Sequence, residues 1–579
     1  MTLKTSLCNG GLLRRSFVKG APLWSLWLLG WLLILPIYLI TRPDVYPFEL
    51  TQHVNGCLTL GCTIAAFFYG LAVAWYQFAW LYRTRSAYHY ASLPLRRETQ
   101  FLTRYLSGLL FHIGPALVVT LLSMAAGGAQ GENVVLPILN WLGATTLLFL
   151  FYYSFAVLCA LLTGHVAAMP VLYLIANFLS LVLQEVLSLI LTLILFGLSA
   201  GQNLWPTWFS PLVYCLNRGV FSQERLTNAA GETTGYLFTG WPIALIFGAV
   251  GLLLALIAFM LLRQRRMESA GDVIAVGWLK PVFRYGVTLC CGLTLGWIIV
   301  SLVMSSGHIR FLPLLVCVLI ASVIGFFAAE MLLQKTIRVF QKENLLRLSG
   351  ALVVITALLL GCKYDVFGFT RYVPQADQVE AVSLDSGPAV DDSTVIEKTI
   401  ALHQEIVDNR HALENAQGNT LSYRITYYLQ NGTTVERYYH LPFGDYSDPD
   451  PSSLGYRMEV LENDPTVLLE AYFTEQAQPL LEELSVEYRI EDGSYFQFSL
   501  TLAQKETLME AMRADVSLGL LGKTGMLAVE ELGSHLSVSW QYLSPDSVPG
   551  RYTSLSITAE SVNTLKALRD MGLPEDALQ

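Results

Sequence analysis

The sequence predicts a polytopic α-helical membrane protein followed by a soluble α+β domain, and three observations lead there. Nine apolar runs lie at about residues 22–41, 56–80, 107–126, 135–162, 168–198, 241–262, 285–304, 311–333 and 348–362. Most approach the ~20 apolar residues that a helix needs to cross a bilayer. The chain of 579 residues is 54% hydrophobic and only 14% charged, where a soluble protein carries ~25% charged residues. Its charge is also divided. Residues 1–362 hold 22 Lys+Arg and 11 Asp+Glu, whereas residues 363–579 hold 14 and 34.

That division predicts an orientation. Short loops retain Lys and Arg on the cytoplasmic side, and Asp and Glu have little influence. With the N-terminus inside, the inner stretches 1–21, 81–106, 163–167, 263–284 and 334–347 carry 18 of the 22 basic residues. The expectation is a multi-pass protein of the plasma membrane with a cytoplasmic N-terminus. An odd number of spans then makes the acidic C-terminal domain extracellular. Arg14-Arg15-Ser16-Phe17-Val18-Lys19 resembles a twin-arginine export signal. The run after it is long enough to span, and no small-x-small cleavage site follows, so it reads as an uncleaved first span.

The fifth run is anomalous. Ala168 to Leu198 is 31 residues, ~46 Å as one helix against a hydrocarbon core of ~30 Å. Gln184-Glu185 interrupt it. The economical reading is a span ending near Leu187, with residues 188–211 dipping back or lying at the outer surface. Trp205-Pro206-Thr207-Trp208 suits an interface, where Trp concentrates. Gln184 and Glu185 are then candidates for an outer gate.

The last 217 residues carry both periodicities. Tyr423–Gln430 and Thr433–Tyr439 alternate around Asn431-Gly432, which predicts a hairpin with a type I′ turn. A second hairpin is expected at Val486–Leu500 around Asp492-Gly493. Thr394-x-x-Glu397 and Thr501-x-x-Gln504 read as capping boxes opening helices. The first of these helices places Ile396, Ile400, His403 and Val407 on one face. A third helix runs from Ser561 to Met571 and closes at Gly572.

Several chemistries are excluded. All nine cysteines lie at or before Cys362 without a Cys-x-x-Cys pair, so neither a disulfide framework nor a metal site is expected. Gly522-Lys523-Thr524 looks like the end of a P-loop, but Ser517 stands where its first Gly is required. No catalytic motif appears, so the chain is not expected to be an enzyme. The excess of acid in the tail argues against nucleic acid as a partner. Polar residues within the apolar runs are His112, Asn140, Asn177, Gln184, Glu185 and Glu330, and snorkelling with pairing to Lys335 accounts for Glu330.

The informative inner stretch is Tyr88-His89-Tyr90-Ala91-Ser92-Leu93-Pro94-Leu95-Arg96-Arg97-Glu98. A short helix is expected to start near Leu95 or Arg96, with Pro94 as N-terminal punctuation. Composition alone permits a plain positive-inside anchor. Ser92-Leu93-Pro94-Leu95-Arg96-Arg97, however, resembles the small-Leu-Pro-x-x-Arg loop of type-2 ABC (ATP-binding cassette) transporter permeases. Arg266-x-Glu268-x-Ala270-Gly271 resembles the Arg-x-Glu-x-Ala-Gly that follows the six-span core in Firmicute permeases of this class. Leu3–Lys19 is similar to their cytoplasmic elbow helix, and the long fifth run to their re-entrant segment.

The resemblance covers residues 1–272, which become a six-span permease core with an elbow helix. Residues 273–362 add three spans, and residues 363–579 form the acidic α+β extracytoplasmic domain. It implies the membrane subunit of an ATP-driven exporter, moving an unidentified peptide, antibiotic or lipid-like substrate. ATP and Mg would sit on a separate cytoplasmic ATP-binding subunit, with no cofactor on this chain. That subunit would dock on the loop, with Leu93, Pro94 and Leu95 giving apolar contact and Arg96, Arg97 and Glu98 setting register. A second copy or a sister permease would complete the pathway in the lipid bilayer. Two other readings stand beside it: a membrane-anchored sensor or assembly protein acting through its outer domain, and an ion-coupled transporter or membrane enzyme acting alone.

Overall fold

The computed structural model describes residues 8–41, 53–54, 56–58, 63–129, 135–198, 206–217, 223–227, 233–265, 267–304, 311–385, 387–414, 419–445, 449–473, 479–489, 495–528, 532, 535–543 and 549–577. Among them, nine helices are long and apolar enough to cross a membrane: Ala21–Thr41, Thr63–Leu81, Arg97–Gly128, Val135–Leu162, Ala168–Ile194, Trp241–Gln264, Leu279–Val303, Phe311–Gln334 and Lys342–Lys363. We number these spans one to nine; the chain is a multi-pass helical membrane protein with a separate sheet-containing region. Its contacts divide it into one unit of residues 1–190 with 201–359, and a second of residues 191–200 with 360–579.

In the helical unit, span four is the hub, packed against spans two, three and six. Small residues let the helices close, as membrane packing requires. A Cβ on Gly251 of span six would lie 2.8 Å from Phe151 Cα, and one on Gly70 of span two 2.9 Å from Tyr153 N. Aromatic rings fill what remains: Trp27 stacks on Tyr69 with centroids 4.1 Å apart, and Trp31 meets Trp141 edge-on. Span one is broken at Leu35–Pro36 into Ala21–Ile34 and Pro36–Thr41, because proline removes a helical donor.

Spans seven and eight form a close hairpin, in which a Cβ at Gly296 would lie 2.7 Å from Val318 Cα. Glu330 is fully buried there and pairs with Arg284, its second oxygen accepting from Gln334 Nε2 at 2.9 Å. The expected pairing with Lys335 is therefore corrected. Lys335 goes to Asp272 instead, at 2.6 Å, and a buried carboxylate finds its counter-ion inside the helix pair.

Span five is one continuous helix to Ile194, not one that ends near Leu187; apolar residues on both sides of Gln184-Glu185 keep it helical. The following segment, with helix Pro211–Asn217, lies beside the middle of that span, since Ser210 Oγ donates to Asn177 O at 2.5 Å. Leu212 and Cys215 are buried in the helical core. An antiparallel hairpin that the sequence reading lacked, β1 (Gln223–Thr227) and β2 (Thr233–Phe238), precedes span six.

The second unit holds two antiparallel sheets. One has the order β3-β4-β5, from β3 (Val379–Leu384), β4 (Asn419–Leu429) and β5 (Thr434–Gly444). The other has the order β7-β6-β8-β9, from β6 (Pro479–Arg489), β7 (Tyr495–Phe498), β8 (Ser537–Leu543) and β9 (Pro549–Ser556). Helices Ser393–Asp408 and Leu454–Glu462 cover the first sheet, and Leu502–Ser517 and Val562–Asp570 the second.

Both expected hairpins form, with Tyr423 opposite Tyr439 and Val486 opposite Phe498; Asp492-Gly493 lie outside the described residues. The first turn is not type I′. Gly432 has φ +77° whereas Asn431 keeps a negative φ, and Gly432 N–H donates to Leu429 O at 2.8 Å. This is a type I turn followed by a bulge glycine, held by Asn431 Oδ1 accepting from Thr433 N–H and Oγ1–H. The cap of Ser393–Asp408 is Asp392, which accepts from Thr394 and Val395 N–H, in place of Thr394. The box at Thr501 and Gln504 forms with both halves present.

Candidate functional site

The two inner stretches singled out in the sequence meet at one end of the helical unit. Helix Thr84–Ala91 is closed by Ser92, whose N–H donates to Tyr88 O at 3.0 Å and whose hydroxyl donates to His89 O at 2.8 Å. The short helix therefore precedes the Ser92–Leu95 stretch, where Pro94 disfavours helix for the residue before it. Arg97 opens the 33-residue helix Arg97–Ala129, which is span three itself. Gln100, one turn in, ties the loop down: its Nε2 donates to Tyr90 O at 2.9 Å and Leu95 O at 3.3 Å. Arg104 follows on the same face, donating to Gln77 O at 2.9 Å with its guanidinium 4.6 Å from the Tyr90 ring centroid.

Arg97 reaches across to the end of span six, donating to Arg265 O at 3.0 Å and Arg263 O at 3.3 Å. Glu98 pairs with Arg263 at 3.1 Å. Arg265, buried, donates to the last carbonyls of span four, Ala160 O at 2.9 Å and Leu161 O at 3.0 Å. These are the orphan acceptors of helix C-termini, satisfied by cations. Three spans are thus bound together by two arginines.

Of the second motif, Arg266 lies outside the described residues, Glu268 is exposed and Ala270 half-buried. Gly271 carries the local fold with φ +94°. Its N–H donates to Gly164 O at 2.6 Å, Gly164 N–H donates to Asp272 O at 2.8 Å, and Ala275 N–H donates to Leu162 O at 2.8 Å. A Cβ on Gly164 would lie 2.0 Å from Ser269 O, so no other residue fits. Asp272 then takes Lys335 from the loop after span eight.

What is left facing outward is Tyr88, His89, Ser92, Pro94 and Arg96, with Leu93 and Leu95 half-buried. Tyr88 is 52% exposed. Arg14, Arg15, Lys19, Arg83 and Arg85 are exposed as well. Helix Gly10–Lys19, the described part of the expected elbow, joins the same end: Asn9 N–H donates to Thr103 Oγ1 at 3.0 Å, and Ser16 Oγ to Gln77 Oε1 at 2.8 Å. The result is a basic, partly apolar face on a stiff base. Arg97 and Glu98 belong to the base and Arg96 to the face.

Gln184 and Glu185 lie elsewhere. Gln184 is buried and Glu185 exposed, nine residues before the end of the span-five helix. Sequence reasoning missed Gln100, Arg265 and Gly164. Only Gly164, a lone glycine in a five-residue connection, gave a local signal. Among the described residues no group of three or more His, Cys, Asp or Glu is placed to hold a metal ion.

In the second unit, buried His403 sits between two hydroxyls, with Nδ1 3.0 Å from Tyr427 Oη and Nε2 2.8 Å from Tyr439 Oη. Burial, then the nearby Arg437, pushes its pKa down to about 3. It is a neutral core residue rather than an acid–base group. Comparison with protein-family models, with curated proteins and with solved structures finds no match to this chain.

Proposed function

We propose that this chain is the permease subunit of an ATP-driven transporter of the type-2 ABC class. The observation that carries the reading is the bracing of the Tyr88–Glu98 loop against the end of span six through Arg97 and Glu98. A loop braced in this way is a lever: force applied to its outward face reaches spans three, four and six without being lost in local bending. Tyr88, His89, Pro94 and Arg96 form the contact surface for a cytoplasmic ATP-binding subunit, and Arg96 steers register by charge. ATP and Mg belong to that subunit. In this reading the braced face is cytoplasmic, the acidic domain lies outside the plasma membrane, and a second permease copy completes the pathway.

The test separates face from base. Arg96→Glu with Tyr88→Ala should leave insertion and thermal stability unchanged while abolishing co-purification of an ATP-hydrolysing subunit. Co-purification and ATPase stimulation equal to those of the unmodified chain would remove the docking role.

A further inference from the structure

A pocket in the second unit carries a separate inference. In the sheet β7-β6-β8-β9, β9 is an edge, and no described strand pairs with its outer side. Ile557 N–H donates to Leu536 O at 2.8 Å, and the register Val538↔Leu555, Ser539↔Ser554 continues from there unbroken. Backbone groups alternate in direction along an antiparallel strand, so those of Leu555 turn toward β8 and those of Ser554 and Ser556 turn outward.

Beside this edge lies a cavity of about 350 Å³, walled by Ser554, Leu555 and Ser556 on one side and by Gly522-Lys523-Thr524-Gly525 on the other. The volume is at the small end of the range for ligand pockets, ~300–1,000 Å³. Lys523 is the one charged side chain among its lining residues, and no carboxylate lines it. That is a marked local inversion in a segment with 14 basic and 34 acidic residues. Lys523 is half-buried and forms no ion pair among the described residues.

The loop is held in place from behind. Gly522 and Gly525 have φ of +89° and +65°. Thr524 N–H donates to Asn463 Oδ1 at 2.8 Å and Met526 N–H to Glu459 Oε1 at 2.8 Å. The Tyr472 hydroxyl donates to Gly522 O at 3.3 Å. Glu459, the carboxylate bonded to this loop, has its other oxygen engaged by the Tyr423 hydroxyl at 2.8 Å, so it serves as a backbone acceptor.

We propose that this pocket captures the C-terminal carboxylate of an extended peptide that adds to the outer edge of β9, with Lys523 as counter-ion. Strand addition supplies main-chain hydrogen bonds at Ser554 and Ser556, and a terminal carboxylate supplies the charge that Lys523 lacks. A free inorganic anion would satisfy the lysine and leave the strand edge unused. The proposal is independent of the transport reading.

The test uses the full-length protein in detergent and a degenerate pool of N-terminally labelled octapeptides. One half of the pool ends in a free carboxylate and the other in an amide. Retention of the acid form should exceed that of the amide at least tenfold, the scale of one charge-assisted contact. Lys523→Met should erase the preference and Lys523→Arg should keep it. Ser556→Pro, which removes an outward N–H, should lower retention of the acid pool. Equal retention of both forms, no retention of either, or an acid preference that survives Lys523→Met would overturn the proposal. Unchanged retention in Ser556→Pro would overturn strand addition.

Discussion

Gly164→Ala tests the bracing of the loop face with a single methyl group. The added Cβ would stand 2.0 Å from Ser269 O, 2.9 Å from Asp272 O and 3.1 Å from Asp272 N. All three are backbone atoms and cannot rotate away. Relief requires the 162–164 and 269–275 segments to separate, which stretches the three hydrogen bonds between them, at 2.8, 2.6 and 2.8 Å. At ~0.5–1.5 kcal/mol net for each bond, local stability should fall by ~2–4 kcal/mol. Since ~1.4 kcal/mol is a factor of ten, the amides of Gly164, Gly271 and Ala275 should exchange about 30- to 1,000-fold faster. Hydrogen exchange read by mass spectrometry on the protein in lipid nanodiscs measures this. Gly277→Ala is the control, because nothing lies within 4 Å of its added methyl. Exchange within threefold of the unmodified protein in Gly164→Ala, or equal effects in the two variants, would refute the reasoning.

Three further outcomes are expected. Arg284→Met alone should lower the thermal stability of the detergent-solubilised protein by ~3–5 kcal/mol, because it leaves the buried Glu330 carboxylate without its counter-ion; Arg284→Met with Glu330→Leu should recover much of it. Asp515 is fully buried and accepts from Asn563 N–H and Nδ2 and from Thr564 N–H and Oγ1, at 2.6–3.1 Å. Asp515→Ala strips these donors at the start of helix Val562–Asp570, so exchange across that helix should rise by a factor that reflects ~3 kcal/mol or more. Glu462 titrates upward: burial first, then Glu459 and Asp385, raise its pKa from 4.5 to about 8. A raised pKa means stability fully present below about 4.5 and lost as pH climbs to about 8, so helix Leu454–Glu462 should exchange faster across that window, and Glu462→Gln should flatten the dependence.

The spans were legible because hydrophobic length is a local property: each of the nine apolar runs overlaps one of the nine spans. Their ends were not. Span three begins at Arg97, ten residues before its apolar run, because Arg97, Gln100 and Arg104 find partners on other segments rather than in lipid. The same reason hid the braced face. Nothing near Arg265 in sequence announces carbonyls at Ala160 and Leu161, more than a hundred residues earlier. Asn431-Gly432 marked the hairpin correctly but not its turn class, since Asn431 instead caps Thr433. Asp392 displaced Thr394 as helix cap because two N–H donors converge on its carboxylate. The pocket at Lys523 was hidden by its likeness to a failed P-loop; only the adjoining strand edge gives that lysine a context.

The proposed assignment depends on the braced face and the acidic domain lying on opposite sides of the bilayer, with seven spans between them among the described residues. Single cysteines at Ala91 and Ala503, both exposed, in a background without native cysteine, measure this directly. A membrane-impermeant maleimide applied to intact cells should label Ala503→Cys at once and Ala91→Cys only after permeabilisation. Labelling of both in intact cells would contradict the span count, and labelling of Ala91→Cys alone would reverse the orientation and remove the face from the cytoplasm where ATP is.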